Sequence, residues 1–144
     1  MYVMSSTIES INPSFGTIRG GTLLTMEGSD YDETRMMYCW FGESLLEPAI
    51  FVSSRKVQCA TPRSESAKVV SIRVIDEGYA NATSVIHTLI GVSFEYINDA
   101  VVSSIYPSSG PISGGTPVLF VGDNFIDSDN LTCWLSQDIS SAFL

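Results

Sequence analysis

Positive charge is scarce in these 144 residues: Lys and Arg number 7, scattered without a run, against 16 Asp and Glu, for a formal net charge of −9. A protein that grips a nucleic-acid backbone needs clustered cations to neutralise phosphates. This balance repels nucleic acid and anionic lipid alike, so no nucleic-acid partner is expected. Long apolar runs are missing too. Nothing approaches the roughly 18 apolar residues of a membrane-spanning helix, so a membrane attachment is expected only through a segment outside this chain. Met1 to Ser10 has neither a basic start nor an apolar run and does not read as a signal peptide. An internal piece of a longer protein is the expected origin. Histidine occurs once, as His87, within the apolar run from Ser84 to Ile90, where a structural role is expected. No two cysteines have Cys-x-x-Cys spacing, which leaves zinc without a ligand set. No serine or cysteine stands in a nucleophile motif. Catalysis has no constellation to rest on, and no enzyme activity, cofactor or metal is expected.

What is present is a folding chain, 44% hydrophobic and 16% charged, enough apolar material for a core and too little charge for disorder. It also repeats itself. Pro13 and Pro107, Gly16 and Gly110, Gly28 and Gly122, and Cys39-Trp40 and Cys133-Trp134 all stand 94 residues apart, as do Gly20-Gly21-Thr22 and Gly114-Gly115-Thr116. That period is too long for a solenoid repeat and close to one immunoglobulin-like domain. Residues 1–98 are expected to form one domain and 99–144 a second, truncated one.

Strand periodicity runs through both copies, with no convincing helix. Ile8 to Ile11 reads as a short strand, Phe15 to Gly21 as a turn-rich connection, and Thr22 to Glu27 as a strand with Leu24 and Met26 inward. Met37, Cys39 and Phe41 form the next inward set, followed by Val57 and Cys59, then Val70, Ile72 and Val74, then Val92, Phe94 and Tyr96. The second copy places Val118, Phe120, Leu131, Cys133 and Leu135 at matching positions. Many short strands with Gly/Pro turns predict an all-β sandwich of the immunoglobulin type. A half copy should leave an unpaired strand edge and exposed apolar residues, Val118, Phe120 and Leu135 among them.

Several motifs together carry a family resemblance. They are Ile11-Asn12-Pro13-Ser14-Phe15-Gly16, Gly20-Gly21-Thr22, Gly28 with Tyr31, Cys39-Trp40-Phe41-Gly42, Val57-Gln58-Cys59-Ala60-Thr61-Pro62 and Phe94-Glu95-Tyr96. The second copy repeats the opening as Ile105-Tyr106-Pro107 and Gly122-Asp123-Asn124-Phe125. In this order the set resembles the IPT/TIG domains, immunoglobulin-like folds of plexins and transcription factors. The resemblance implies a disulfide between Cys39 and Cys59, as in plexin-type members. Read from the residues alone, two buried free thiols remain an alternative. A 20-residue loop would gain about 3 kcal/mol from such a bond in the chain-entropy model. Cys133 copies Cys39 and is expected to be left unpaired by truncation.

Asn81-Ala82-Thr83 and Asn130-Leu131-Thr132 are N-glycosylation patterns, and Asn81 and Asn130 agree with the cysteines on an oxidising compartment. Trp40 and Trp134 fall between inward positions, so both are expected to face outward, either at a partner interface, where aromatics are enriched, or covered by the adjoining loop or the next domain. Two loops are acidic: Glu27, Asp30, Asp32 and Glu33 in the first copy, and Asp123, Asn124, Asp127, Asp129 and Asn130 in the second. They read as solvated turns, with a weak calcium site as the alternative, although EF-hand spacing is absent. The expectation for function is a non-catalytic interaction or spacer module of an extracellular or cell-surface protein. Its partner would be another protein or neighbouring domains of the same chain. The alternatives are a carbohydrate-associated module, with Trp40 stacking on a sugar, or a dimerisation module of an intracellular transcription factor.

Overall fold

A computed structural model describes residues 6–43, 45–77, 91–129 and 131–135, and the backbone of 138–141. The chain divides into two compact units, Met1–Asn98 and Asp99–Leu144.

In the first unit the strands are β1 (Thr7–Asn12), β2 (Phe15–Thr17), β3 (Leu23–Ser29), β4 (Met37–Phe41), β5 (Leu45–Pro48), β6 (Ile50–Ser53), β7 (Lys56–Ala60), β8 (Lys68–Asp76) and β9 (Val92–Ile97). They form a four-stranded sheet, β1-β3-β7-β6, and a five-stranded sheet, β2-β9-β8-β4-β5. All pairings are antiparallel except β2 with β9. The chain leaves the first sheet after Asn12 and joins the second at Phe15, passing through Pro13, which cannot donate to a ladder. The Asn12–Pro13 peptide is cis, and so is Tyr106–Pro107 at the equivalent place in the second unit.

Period-2 alternation delivers one face of each sheet to a common core. Leu24, Met26, Val57 and Cys59 come from one sheet; Met37, Cys39, Phe41, Ile72, Val74, Phe94 and Tyr96 come from the other. Phe94 and Tyr96 meet edge to face with ring centroids 5.1 Å apart, the arrangement that ring quadrupoles favour. Two large side chains are buried outside this core: Trp40 and Ile75. They belong to the opposite face of the five-stranded sheet, where alternation places every second residue of β4 and β8. Three strands differ from the sequence expectation. The connection from Phe15 to Gly21 contains β2, and the edge strands β5 and β6 show no apolar–polar alternation in sequence. In β6 burial does alternate, with Phe51 packed against the core, but the exposed residues Ile50 and Val52 are apolar too and mask the period.

The second unit has β10 (Val101–Tyr106), β11 (Leu119–Asp123), β12 (Thr132–Leu135) and β13 (Asp138–Ser141), paired as β10-β11 and β12-β13. Its first pair reproduces the β1–β3 ladder. Thr7↔Ser29, Ile8↔Gly28 and Ser10↔Glu27 become Val101↔Asp123, Val102↔Gly122 and Ser104↔Val121, with the same bulge between them. The glycine is required at this site: a Cβ on Gly28 would strike the Thr7 carbonyl oxygen, and one on Gly122 the Val101 carbonyl oxygen. Asp30 and Asn124, each two residues later, both take positive φ, at 63° and 64°. Burial does not repeat. Leu24 and Met26 are fully buried, whereas Val118 and Phe120 are half-buried and Leu135 is exposed.

Candidate functional site

Cys39 on β4 and Cys59 on β7 face each other from the two sheets and are joined by a disulfide, with Cα atoms 6.5 Å apart. Both are buried, so the bond crosses the core and clamps the layers together. Cys133 is free and half-buried. The two tryptophans part company. Trp134 is 64% exposed, but Trp40 is only 6% exposed and donates its indole N–H to the Gly42 carbonyl at 2.8 Å. Of the two alternatives for an outward tryptophan, Trp40 takes the covered one. Its ring does face away from the core, as alternation requires, but it is covered and its polar atom is satisfied. Asn81, Asn130 and His87 lie outside the described residues.

At one end of the sandwich, the loop after β3 meets the turn between β6 and β7 around a shallow depression lined by Asp30, Asp32, Glu33, Arg35 and Arg55. Asp32, Arg35 and Arg55 are each engaged. Asp32 Oδ1 accepts from the Thr34 N–H at 2.9 Å and from the Thr34 hydroxyl at 2.6 Å. These bonds, helped by Arg35, hold the Asp32 carboxyl below its ordinary pKa. Arg35 reaches both Asp32 and Asp76, at 3.5 and 3.3 Å, and Arg55 reaches Glu9 at 3.3 Å. No group of three or more His, Cys, Asp or Glu among the described residues is placed to hold a metal ion. Tyr31 stands behind this loop with its hydroxyl buried and without a hydrogen-bond partner among the described residues. Burial, with the charge of Glu9 adding to it, pushes its pKa up to about 12.

The opposite end is built differently. The segment between β7 and β8 is pinned by backbone and side-chain bonds. Gly21 N–H donates to the Thr61 carbonyl at 2.7 Å, Ser64 N–H to the Ile18 carbonyl at 2.9 Å, and the Tyr96 hydroxyl to the Pro62 carbonyl at 2.8 Å. Thr61 and Ser64 are buried, and Arg63 between them is held out to solvent. A concavity of about 750 Å³ opens here, lined by Gly42, Glu43, Leu45, Arg63, Lys68 and Val69 among others. All the Lys and Arg of the chain precede residue 74. Arg35, Arg55 and Lys56 are in ion pairs, and Arg19 and Arg73 are engaged as well. Arg63 and Lys68 are the two without a side-chain partner among the described residues, and they share this concavity.

Sequence reasoning singled out the acidic end only as the alternative weak calcium site, through Glu27, Asp30, Asp32 and Glu33, and did not point to the other end. Arg63 and Lys68 are five residues apart in a loop and a strand, and the bend at Glu65–Ser66 between them brings both to one concavity.

Comparison with known proteins agrees with this architecture. The model of the IPT/TIG domain matches residues 6–94 and again 100–138. Among solved structures, the full extracellular region of plexin A4, domains 1 to 10, is similar with a TM-score of 0.54 and 24% identity, over 84% of this chain and 10% of that one. The chain thus spans about a tenth of that structure, and at this identity the likeness is one of fold.

Proposed function

This chain belongs to the IPT/TIG domain family, and from that membership we propose that it is a non-catalytic interaction and spacer module of a multi-domain cell-surface or secreted protein, with residues 1–98 as one domain and 99–144 as part of a second. The observation that carries the reading is the buried Cys39–Cys59 disulfide between the two sheets, because such bonds persist in oxidising compartments and are rare in the cytosol. The surface supports it. At the acidic end Asp32, Arg35 and Arg55 are held in ion pairs rather than converging on a reacting atom, and the exposed Trp134 is of a type enriched at protein interfaces. Asn81 and Asn130 are the expected glycan carriers. The carbohydrate-module alternative loses the residue that motivated it, since Trp40 is buried.

The test is binding to cells. The chain, secreted behind a heterologous signal sequence and tetramerised on a fluorescent scaffold, is expected to stain a panel of cell types in a manner abolished by brief trypsin treatment of the cells. Staining that survives trypsin but is removed by glycosidases would transfer the function to a glycan. A chain that stains nothing would count against an interaction role.

A further inference from the structure

Among the described residues, the five-stranded sheet has an open place at the concavity at the start of β8. The Ser71 carbonyl accepts from Gly42 N–H at 2.9 Å, so residue 71 directs its hydrogen-bonding groups toward the β4 side. In an antiparallel ladder alternate residues point the same way, which aims the N–H and C=O of Val69 to that side too. The other neighbour agrees: Glu95, opposite Val69, donates its N–H to the Ser14 carbonyl, away from β8. The β4–β8 ladder ends at Phe41↔Ile72, beyond which the chain turns away through Gly42 into β5. No described strand therefore stands opposite Val69, whose side chain is 65% exposed. Beside this gap stand Arg63, fixed by its buried neighbours, and Lys68, neither with a side-chain partner among the described residues.

We propose that this gap receives an extended acidic segment of a protein partner, which pairs with the backbone of Val69 and places a carboxylate between Arg63 and Lys68. The proposal rests on the interaction-module reading and names the partner's chemistry. Backbone pairing at an open ladder position supplies register. An unpaired guanidinium and ammonium in a chain of net charge −9 supply the selectivity, since charge-assisted bonds to carboxylate are the stronger kind. Because Arg63 is held by a pinned segment, little ordering is lost on binding. Val69, on the sheet face opposite to Lys68, offers apolar contact to the residues flanking the carboxylate. Glu43 and Glu65 line the same concavity without an ion pair to either cation, so they reject a guest that is acidic at every position. A segment of alternating apolar and acidic residues is the best fit.

The probe is the peptide acetyl-Val-Glu-Val-Glu-Val-amide, titrated into the ¹⁵N-labelled full chain. The expected result is amide shift changes confined to Gly42 and Lys68–Ser71, at least tenfold weaker binding of the Gln counterpart, and at least tenfold weaker binding to the double variant Arg63→Ala/Lys68→Ala. Lys56→Ala, which removes a cation paired elsewhere, should bind as the parent does. All of these side chains are exposed, and an unchanged amide spectrum outside the substituted sites checks that each variant is folded. Equal binding of the Glu and Gln peptides, or no shift at millimolar peptide, would overturn the proposal. So would a sulfated oligosaccharide that displaces the peptide at equal ionic strength and binds more tightly. If the peptide fails while the tetrameric chain still stains cells, this site alone falls; if the staining fails too, the module reading falls with it.

Discussion

At the scale of single residues, the fold depends on places where a side chain cannot be added and where a hydroxyl has or lacks a partner. A methyl at Gly28 would meet both the Thr7 carbonyl and the Tyr31 hydroxyl. Gly28→Ala is expected to cost about 1–3 kcal/mol, the usual range for overpacking, read as a lowered urea midpoint. Tyr31 and Tyr96 offer a paired test, being equally buried but differently satisfied. Tyr31→Phe removes a buried hydroxyl with no partner among the described residues and should be neutral or stabilising. Tyr96→Phe strips the Pro62 carbonyl of its donor and should cost about 1 kcal/mol. A pH dependence follows from the same pair. Burial pushes both phenols up to about 12, with Glu9 adding to the effect at Tyr31 and Glu47 at Tyr96; unfolded, both titrate near 10. Between about pH 10 and 12 the unfolded chain releases protons that the native state retains. Stability is therefore expected to fall as pH rises through that window, the two tyrosines contributing no slope below it. Urea midpoints measured from pH 8 to 12 check this, and the double Phe variant should flatten the decline.

At the scale of elements, the duplicated ladder is the clearest feature. β1–β3 and β10–β11 share register, bulge, glycine and the positive φ that follows, so their backbones are the same object. Their environments are not, because Leu24 and Met26 are buried where Val118 and Phe120 are half-buried. Amide exchange is accordingly expected to be markedly slower in β3 than in β11, since opening free energy follows buried contact rather than ladder geometry; equal protection would contradict it. Here the sequence was most legible. The Leu24/Met26, Met37/Cys39/Phe41 and Val57/Cys59 alternations marked core strands because one face of each is buried and the other wet. What stayed hidden has a common cause. β2 is three residues long with a central glycine, and the exposed residues of β5 and β6, Leu45, Leu46, Ile50 and Val52, are themselves apolar, so none shows a period in sequence. Trp40 was legible as an outer-face residue, but whether it is covered or at an interface was not, because alternation fixes direction and says nothing of what lies beyond. The open position at Val69 was illegible for a related reason: it depends on where β4 ends relative to β8, a register that only the folded sheet defines.

At the scale of the whole molecule, two layers are held by a core and one covalent link across it. Closing a sequence separation of 20 should contribute about 3 kcal/mol in the chain-entropy model, so reduction is expected to lower the urea midpoint of the first unit substantially. The charge is divided unevenly: every Lys and Arg precedes residue 74 while acids continue to Asp138. Association with an acidic partner through the first unit should accordingly weaken as salt is raised. The extracellular reading and the clamped sandwich meet in one observable, the oxidation state of Cys39 and Cys59 in the protein as cells make it. The measurement is peptide mapping without reduction, on protein taken from its natural source and alkylated at once. The account predicts a Cys39–Cys59 linked peptide with neither thiol alkylated. Recovery of both cysteines as alkylated free thiols would contradict it and place the domain in a reducing compartment.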